Sequence, residues 1–273
     1  MKYNLDKFVF ILAIAFFTFS LNAQKFSGKV TYVSKSKMEL GSWGARLSEA
    51  RKKEVAARLK NRLEKTYILR FNSIAATFLE EEKIDAISGA TDSWGGYFSR
   101  GDQYKNVKEA TLVQAQEFYG KRFLVKDELY RIDWTLGTET KKIGKYTCYK
   151  AKAFVPAAEL NWYNFSWSDL STNTDKEESE KAPEEKLIIV EAWYAPQIPI
   201  AQGPAEFWGL PGLILEVSAE NTTLLCTEIV INKENTATIE APDKGKEITK
   251  KEYTTTVRSK MVEMRSNRMG RRG

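Results

Sequence analysis

The chain has 273 residues, with 42 Lys and Arg against 36 Asp and Glu for a formal charge of +6, and no histidine. The missing imidazole excludes a Ser-His-Asp triad, a Cys-His pair and any histidine-ligated zinc centre. Chemistry through two carboxylates, through Ser and Lys, or through an all-oxygen metal site survives.

Lys2 and Lys7 precede an apolar run from Phe8 to Leu21, and Leu21-Asn22-Ala23 ends on a small residue before Gln24. This pattern predicts a secretory signal peptide over residues 1–23. A run of about 14 residues is too short for a spanning helix, so no transmembrane anchor is expected after cleavage. The expected destination is the periplasm or cell envelope, where nucleic acid is not an expected partner for a mildly basic protein.

Residues 24–257 are expected to form one β-rich domain. Phe26 to Met38 is rich in β-branched and aromatic residues and reads as a first strand. Arg46 to Lys65 switches to a helical period, with Leu47, Val55, Leu59 and Leu63 near one face and a basic remainder. Tyr67 to Phe71 and Ile74 to Leu79 read as a hairpin turning at Asn72-Ser73. Ile87 to Gly101 reads as turns. Strands are expected over Lys105 to Glu109, Leu112 to Phe118, Arg122 to Lys126 and Glu128 to Trp134, the last with Tyr130, Ile132 and Trp134 on one face.

Thr147 to Phe154 is a further expected strand. Residues 169–186, polar and mostly acidic, read as a mobile loop. Leu187 to Tyr194, Leu213 to Val217 and Thr222 to Ile231 are strands by the same criteria. Thr249 and Glu252 stand at capping-box spacing before a helix expected over Tyr253 to Asn267. Residues 258–273 hold the end of that helix and a basic tail. The expected fold is mainly β: a large curved antiparallel sheet or partly closed β-barrel, with a basic helix after the first strand and a C-terminal helix.

The densest motif is Gly209-Leu210-Pro211-Gly212-Leu213-Ile214, preceded by Trp193 to Ile200 and Gly203-Pro204-Ala205-Glu206-Phe207-Trp208. Pro211 fixes its own φ and Gly212 is expected at positive φ, a constrained turn feeding a core strand. Pro199, Gly203, Pro204, Gly209, Pro211 and Gly212 are the structural residues of this block. The block from Glu191 to Val217 resembles the core signature of the GLPGLI family of Bacteroidota envelope proteins. Tyr67 to Asn72 and Lys141 to Cys148 are weaker echoes in the family's order. The resemblance implies an exported β-rich protein without an established activity, from a family often found alongside TonB-dependent outer-membrane transporters, and carries over no catalytic residue.

Cys148 and Cys226 are the only cysteines. An oxidising compartment makes a disulfide their default pairing, with two buried thiols the alternative. Glu191 and Glu216 sit in otherwise apolar strands, where desolvation would raise their pKa values; such carboxylates are either general acids or structural pairs. Trp162 and Trp167, with Tyr163 and Phe165, cluster before the acidic loop, while Trp193, Tyr194, Phe207 and Trp208 surround the signature. These aromatics either line a site for a sugar, peptide or lipid moiety, anchor an interface, or pack the core.

The combined expectation is a non-enzymatic envelope protein, a binding or accessory partner of an outer-membrane transporter or other envelope protein. The alternatives are a periplasmic small-ligand or lipid carrier and a carboxylate-dependent hydrolase. No catalytic residue, metal site or cofactor is expected.

Overall fold

The computed structural model describes residues 27–37, 46–58, 60–81, 100–165, 186–232 and 239–270. The expected leader, most of the expected turns over Ile87 to Gly101, most of the acidic loop, Trp167 and the last three residues of the basic tail lie outside them. The strands are β1 Ser27–Ser36, β2 Glu64–Asn72, β3 Ala75–Glu80, β4 Gln103–Asn106, β5 Thr111–Phe118, β6 Lys121–Glu128, β7 Thr135–Ile143, β8 Tyr146–Pro156, β9 Leu187–Ala195, β10 Leu213–Ala219, β11 Thr222–Asn232 and β12 Lys246–Ile248. Among the described residues four helices accompany them: α1 Glu49–Arg58, α2 Lys60–Leu63, α3 Ala157–Leu160 and α4 Lys250–Gly270.

All twelve strands join one open sheet in the order β12-β6-β5-β4-β3-β2-β1-β11-β10-β9-β8-β7. Every pairing is antiparallel except β12 against β6. The sheet is therefore mixed, and the mainly β expectation holds. Register shifts at Thr31/Tyr32 in β1 and at Ile214/Glu216 in β10 interrupt two central ladders, and such bulges add twist and bend a sheet around its contents. The hairpin turn is set where the sequence places it, since Asn72 Oδ1 accepts from the amides of Ile74 at 2.8 Å and Ala75 at 2.7 Å.

Among the described residues two apolar clusters hold the fold. The larger gathers Tyr32, Leu69, Phe71, Val190, Ile214 and Leu215 under the central strands, and the Tyr32 hydroxyl donates to the Ile214 carbonyl at 2.5 Å. The smaller packs α4 against β5 and β6 through Phe118, Phe123, Val125, Tyr253, Val257 and Met261. The capping box forms: Thr249 N donates to Glu252 Oε2 at 2.8 Å and Glu252 N to Thr249 Oγ1 at 3.2 Å. Lys250, nearly buried, fixes the helix start by pairing with Glu159 at 2.6 Å. Among the described residues no helix is long and apolar enough to cross a membrane.

Two expected strands are displaced: the one over Lys105 to Glu109 gives way to β4 at Gln103–Asn106, because Asn106 Oδ1 accepts from the amides of Lys108 and Glu109 and turns the chain there. Residues 129–134 keep the predicted alternation of sheltered and exposed side chains but make no ladder; the strand is β7, Thr135–Ile143. β7 is an edge strand exposed along most of its length, so no apolar period marks it in the sequence.

Candidate functional site

The signature block is the starting point. Residues 196–212 connect β9 to β10 and bury Ile198, Ile200, Ala205, Phe207 and Leu210 against the sheet. Gly212 is required for proximity, not for a positive φ. A Cβ there would lie 2.4 Å from the Ala195 carbonyl oxygen and 2.9 Å from Pro196 Cα, whereas the positive φ of the motif, +91°, falls at Gly209.

Lys105 reaches this loop from β4 and is 1% exposed. Its Nζ donates to the carbonyls of Gly203 at 2.6 Å, Ala205 at 2.8 Å and Phe207 at 2.9 Å. Burial pushes its pKa down to about 7, with nearby Glu206 opposing that and Arg100 adding to it. The three carbonyls match the three donors of an ammonium, a further force toward the charged form. Two tryptophans close the loop on the other side: Trp208 Nε1 donates to the Tyr130 carbonyl at 2.9 Å, and Trp134 Nε1 to the Trp208 carbonyl at 2.7 Å.

Next to the loop a pocket of about 280 Å³ opens to solvent. Gly101 lets the chain approach β5 closely, since a Cβ there would overlap the Ala115 carbonyl, and this sets the preceding Arg100. The Arg100 guanidinium pairs with Glu206 at 2.5 Å, donates to the Tyr163 hydroxyl at 2.7 Å and lies 4.8 Å from the Tyr163 ring centroid. Glu206 Oε1 also accepts from Gln103 at 3.2 Å, while Glu206 Oε2 is buried with no partner.

The pocket is lined by Tyr67 and Phe78, whose rings stack at 4.7 Å, and by Ser34, Lys65, Asn164 and Thr222 among others. Lys65 pairs with Glu80 at 2.7 Å. Burial holds the Tyr67 and Tyr163 hydroxyls above their ordinary values, with Arg100 opposing, so both are protonated at neutral pH. This arrangement offers hydroxyl, amide and cationic groups beside an aromatic wall.

The residues singled out from the sequence divide among different settings. Tyr194 and Phe207 are buried in the larger cluster. Trp162 is buried in the smaller one, edge-on to Tyr253 at 5.7 Å. Trp193 is half-buried on a face shared by β7 to β10, with Lys141 Nζ 4.4 Å and Lys150 Nζ 5.7 Å from its ring centroid.

Glu216 pairs with Lys141 at 2.6 Å on that face, and Glu191 with Lys152 at 2.7 Å. The expectation of a raised pKa fails for Glu191. Its hydrogen bond to Lys152 holds the carboxyl below the usual range, because the side chain is exposed enough to keep its water and its lysine. Among the described residues no cluster of His, Cys, Asp and Glu is suited to a metal ion.

Cys148 and Cys226 are free, buried thiols, so the disulfide expectation is corrected. They stand on β8 and β11, three strand steps apart in the sheet order. The bent sheet nonetheless brings them into one apolar cluster, near enough for Cys148 to raise the pKa of Cys226, and the two sulfurs are not bonded. Burial pushes Cys148 up to about 11 and Cys226 up to about 12, which leaves both unreactive at neutral pH.

Residues 134–216 match the family described as Protein of unknown function (Porph_ging). No curated protein matches the chain. Among solved structures, the chain is similar to "Structure of PNGF-II in C2 space group" at 14% identity and a TM-score of 0.45, over 87% of this chain and 32% of that one. It is also similar to "Structure of PNGF-II in P21 space group" at 13% identity and a TM-score of 0.44, over 82% of this chain and 32% of that one. The chain thus spans about a third of the length of either structure.

Proposed function

We propose that the chain is a non-catalytic binding protein of the cell envelope, an accessory partner of a TonB-dependent type of outer-membrane transporter, with its ligand seat in the pocket beside Arg100. The observation that carries the binding reading is how the polar groups are used. Lys105 is fully engaged by three carbonyls. In the pocket, by contrast, the Tyr67 hydroxyl and the Ser34 and Asn164 side chains have no hydrogen-bond partner among the described residues and face an opening. A general acid needs a carboxyl kept protonated. Glu191 is instead held ionised by lysine on an open face, which disfavours the hydrolase alternative. Residues 196–212 fill the sheet's face with apolar side chains, which disfavours a lipid cavity.

The envelope destination and the transporter partner rest on the leader-like N-terminus and the family resemblance. Isolating the chain from detergent-solubilised envelopes tests the whole reading, with mass spectrometry of co-isolated protein and of small molecules released on denaturation. A transporter and a small polar molecule are expected. A free monomer that releases nothing would overturn it.

A further inference from the structure

We propose that the pocket binds a hydroxylated carboxylate the size of one sugar ring, its carboxylate directed to Lys65 and Arg100 and its hydroxyls to Tyr67, Ser34 and Asn164. This rests on the reading above that the pocket is the ligand seat.

The charge argument comes first. Lys65 and Arg100 line the opening and each already holds one carboxylate, Glu80 and Glu206. Buried Lys105 lies behind them, held by three carbonyls and with no carboxylate within ion-pairing distance among the described residues. Lys65 and Arg100 are thus balanced by Glu80 and Glu206, and Lys105, whose pKa burial pushes down to about 7, adds a partial positive charge at neutral pH. The donors are also in excess. Arg100 uses two of its guanidinium nitrogens on Glu206 and Tyr163, and Lys65 uses one ammonium donor on Glu80. A further carboxylate finds donors here without displacing an existing pair.

A bare anion would leave the rest of the pocket idle. Tyr67 stacks on Phe78 and lines the pocket together with Ser34 and Asn164. Hydroxyls and an amide around an aromatic wall suit a ligand whose own hydroxyls donate and accept in turn. A volume of about 280 Å³ admits one six-membered ring with its substituents and excludes a longer chain from full burial.

The test is calorimetric titration of the full chain with glucuronate, glucose and acetate as the three probes. Glucuronate is expected to bind saturably at one site, glucose at least tenfold more weakly, and acetate without saturable heat. Glucose or acetate binding as tightly as glucuronate, or no glucuronate binding, would overturn the proposal. Lys65→Gln, at a partly exposed pair whose loss leaves the fold intact, is expected to lower glucuronate affinity about tenfold and leave glucose unchanged. Unchanged glucuronate affinity in that variant overturns the carboxylate assignment. Tyr67→Phe keeps the ring stack and is expected to weaken both sugars. If the small molecule released from envelope-isolated protein is neutral, and Tyr67→Phe loses it, the pocket reading stands and this ligand class falls. If Tyr67→Phe retains its native small molecule at wild-type level, both fall.

Discussion

The signature loop and the pocket beside Arg100 are neighbours built from similar residue types, yet they use polar groups in opposite ways. In residues 196–212 the carbonyls of Gly203, Ala205 and Phe207 are capped by one lysine, and the Trp208 indole and carbonyl are both engaged. In the pocket Tyr67, Ser34 and Asn164 keep free capacity. A buried polar group without a partner destabilises a fold, so the loop's backbone groups are engaged, with Gln202 Oε1 and Glu206 Oε2 its two buried side-chain oxygens without a partner among the described residues. A solvent-facing pocket carries no such requirement and can leave its groups to a ligand. The motif that is most conspicuous in the sequence is thus scaffold, and the candidate site is assembled from inconspicuous residues.

The contrast is most easily broken at Gly212. Gly212→Val would drive a branched side chain into the Ala195 carbonyl, and soluble folded protein should be almost lost, read as yield and circular dichroism. A well-folded variant would show that the loop has room to move. Lys105→Met should follow at about 2 kcal/mol in chemical denaturation, the net of three orphaned carbonyls against relief of a buried charge. The pH dependence sharpens this point. Lys105 titrates near 7 in the fold and at its ordinary 10.5 when unfolded, so the unfolded chain holds the extra proton between those values. Stability should therefore rise with pH through that window in the wild type and lose that slope in Lys105→Met.

Trp208→Phe removes one indole bond to Tyr130 and should cost about 1 kcal/mol, with the Trp134 bond to the backbone retained. Glu191→Gln, on the open face, should move the melting temperature by no more than about 2 °C. A larger drop would show that this face is as interdependent as the interior. The thiols give the smallest signal. Neither should alkylate in the native protein, and both should label in denaturant without reductant. A requirement for reductant would restore the disulfide.

The strands, the hairpin turn at Asn72 and the Thr249–Glu252 cap were legible because local patterns determine them: alternation, an Asx turn and a capping box. β7 was not, because an exposed edge strand has no buried face to pattern it. The candidate site was legible only in fragments. Tyr163 lies within the aromatic cluster noted before the acidic loop, but Arg100, Lys105 and Glu206 meet through the curvature of the sheet, over sequence separations near one hundred residues. The faint local trace is polar residues at inward positions of β4 and β5: Gln103, Lys105, Gln114 and Gln116, all buried. Gly212 was recognised as indispensable for the wrong reason, since a close approach across the loop cannot be read from a turn motif.

Hydrogen exchange on the signature loop tests most directly that it is scaffold. The amides of Phe207, Gly209, Leu213 and Ile214 donate within the loop and into its frame, to Pro204, Ala201, Ile198 and Gln202. They should exchange as slowly as those of the flanking strands β9 and β10. Exchange within seconds at these four amides, while β9 and β10 stay protected, would show a loop that opens on its own and would contradict the assignment of the signature to the core.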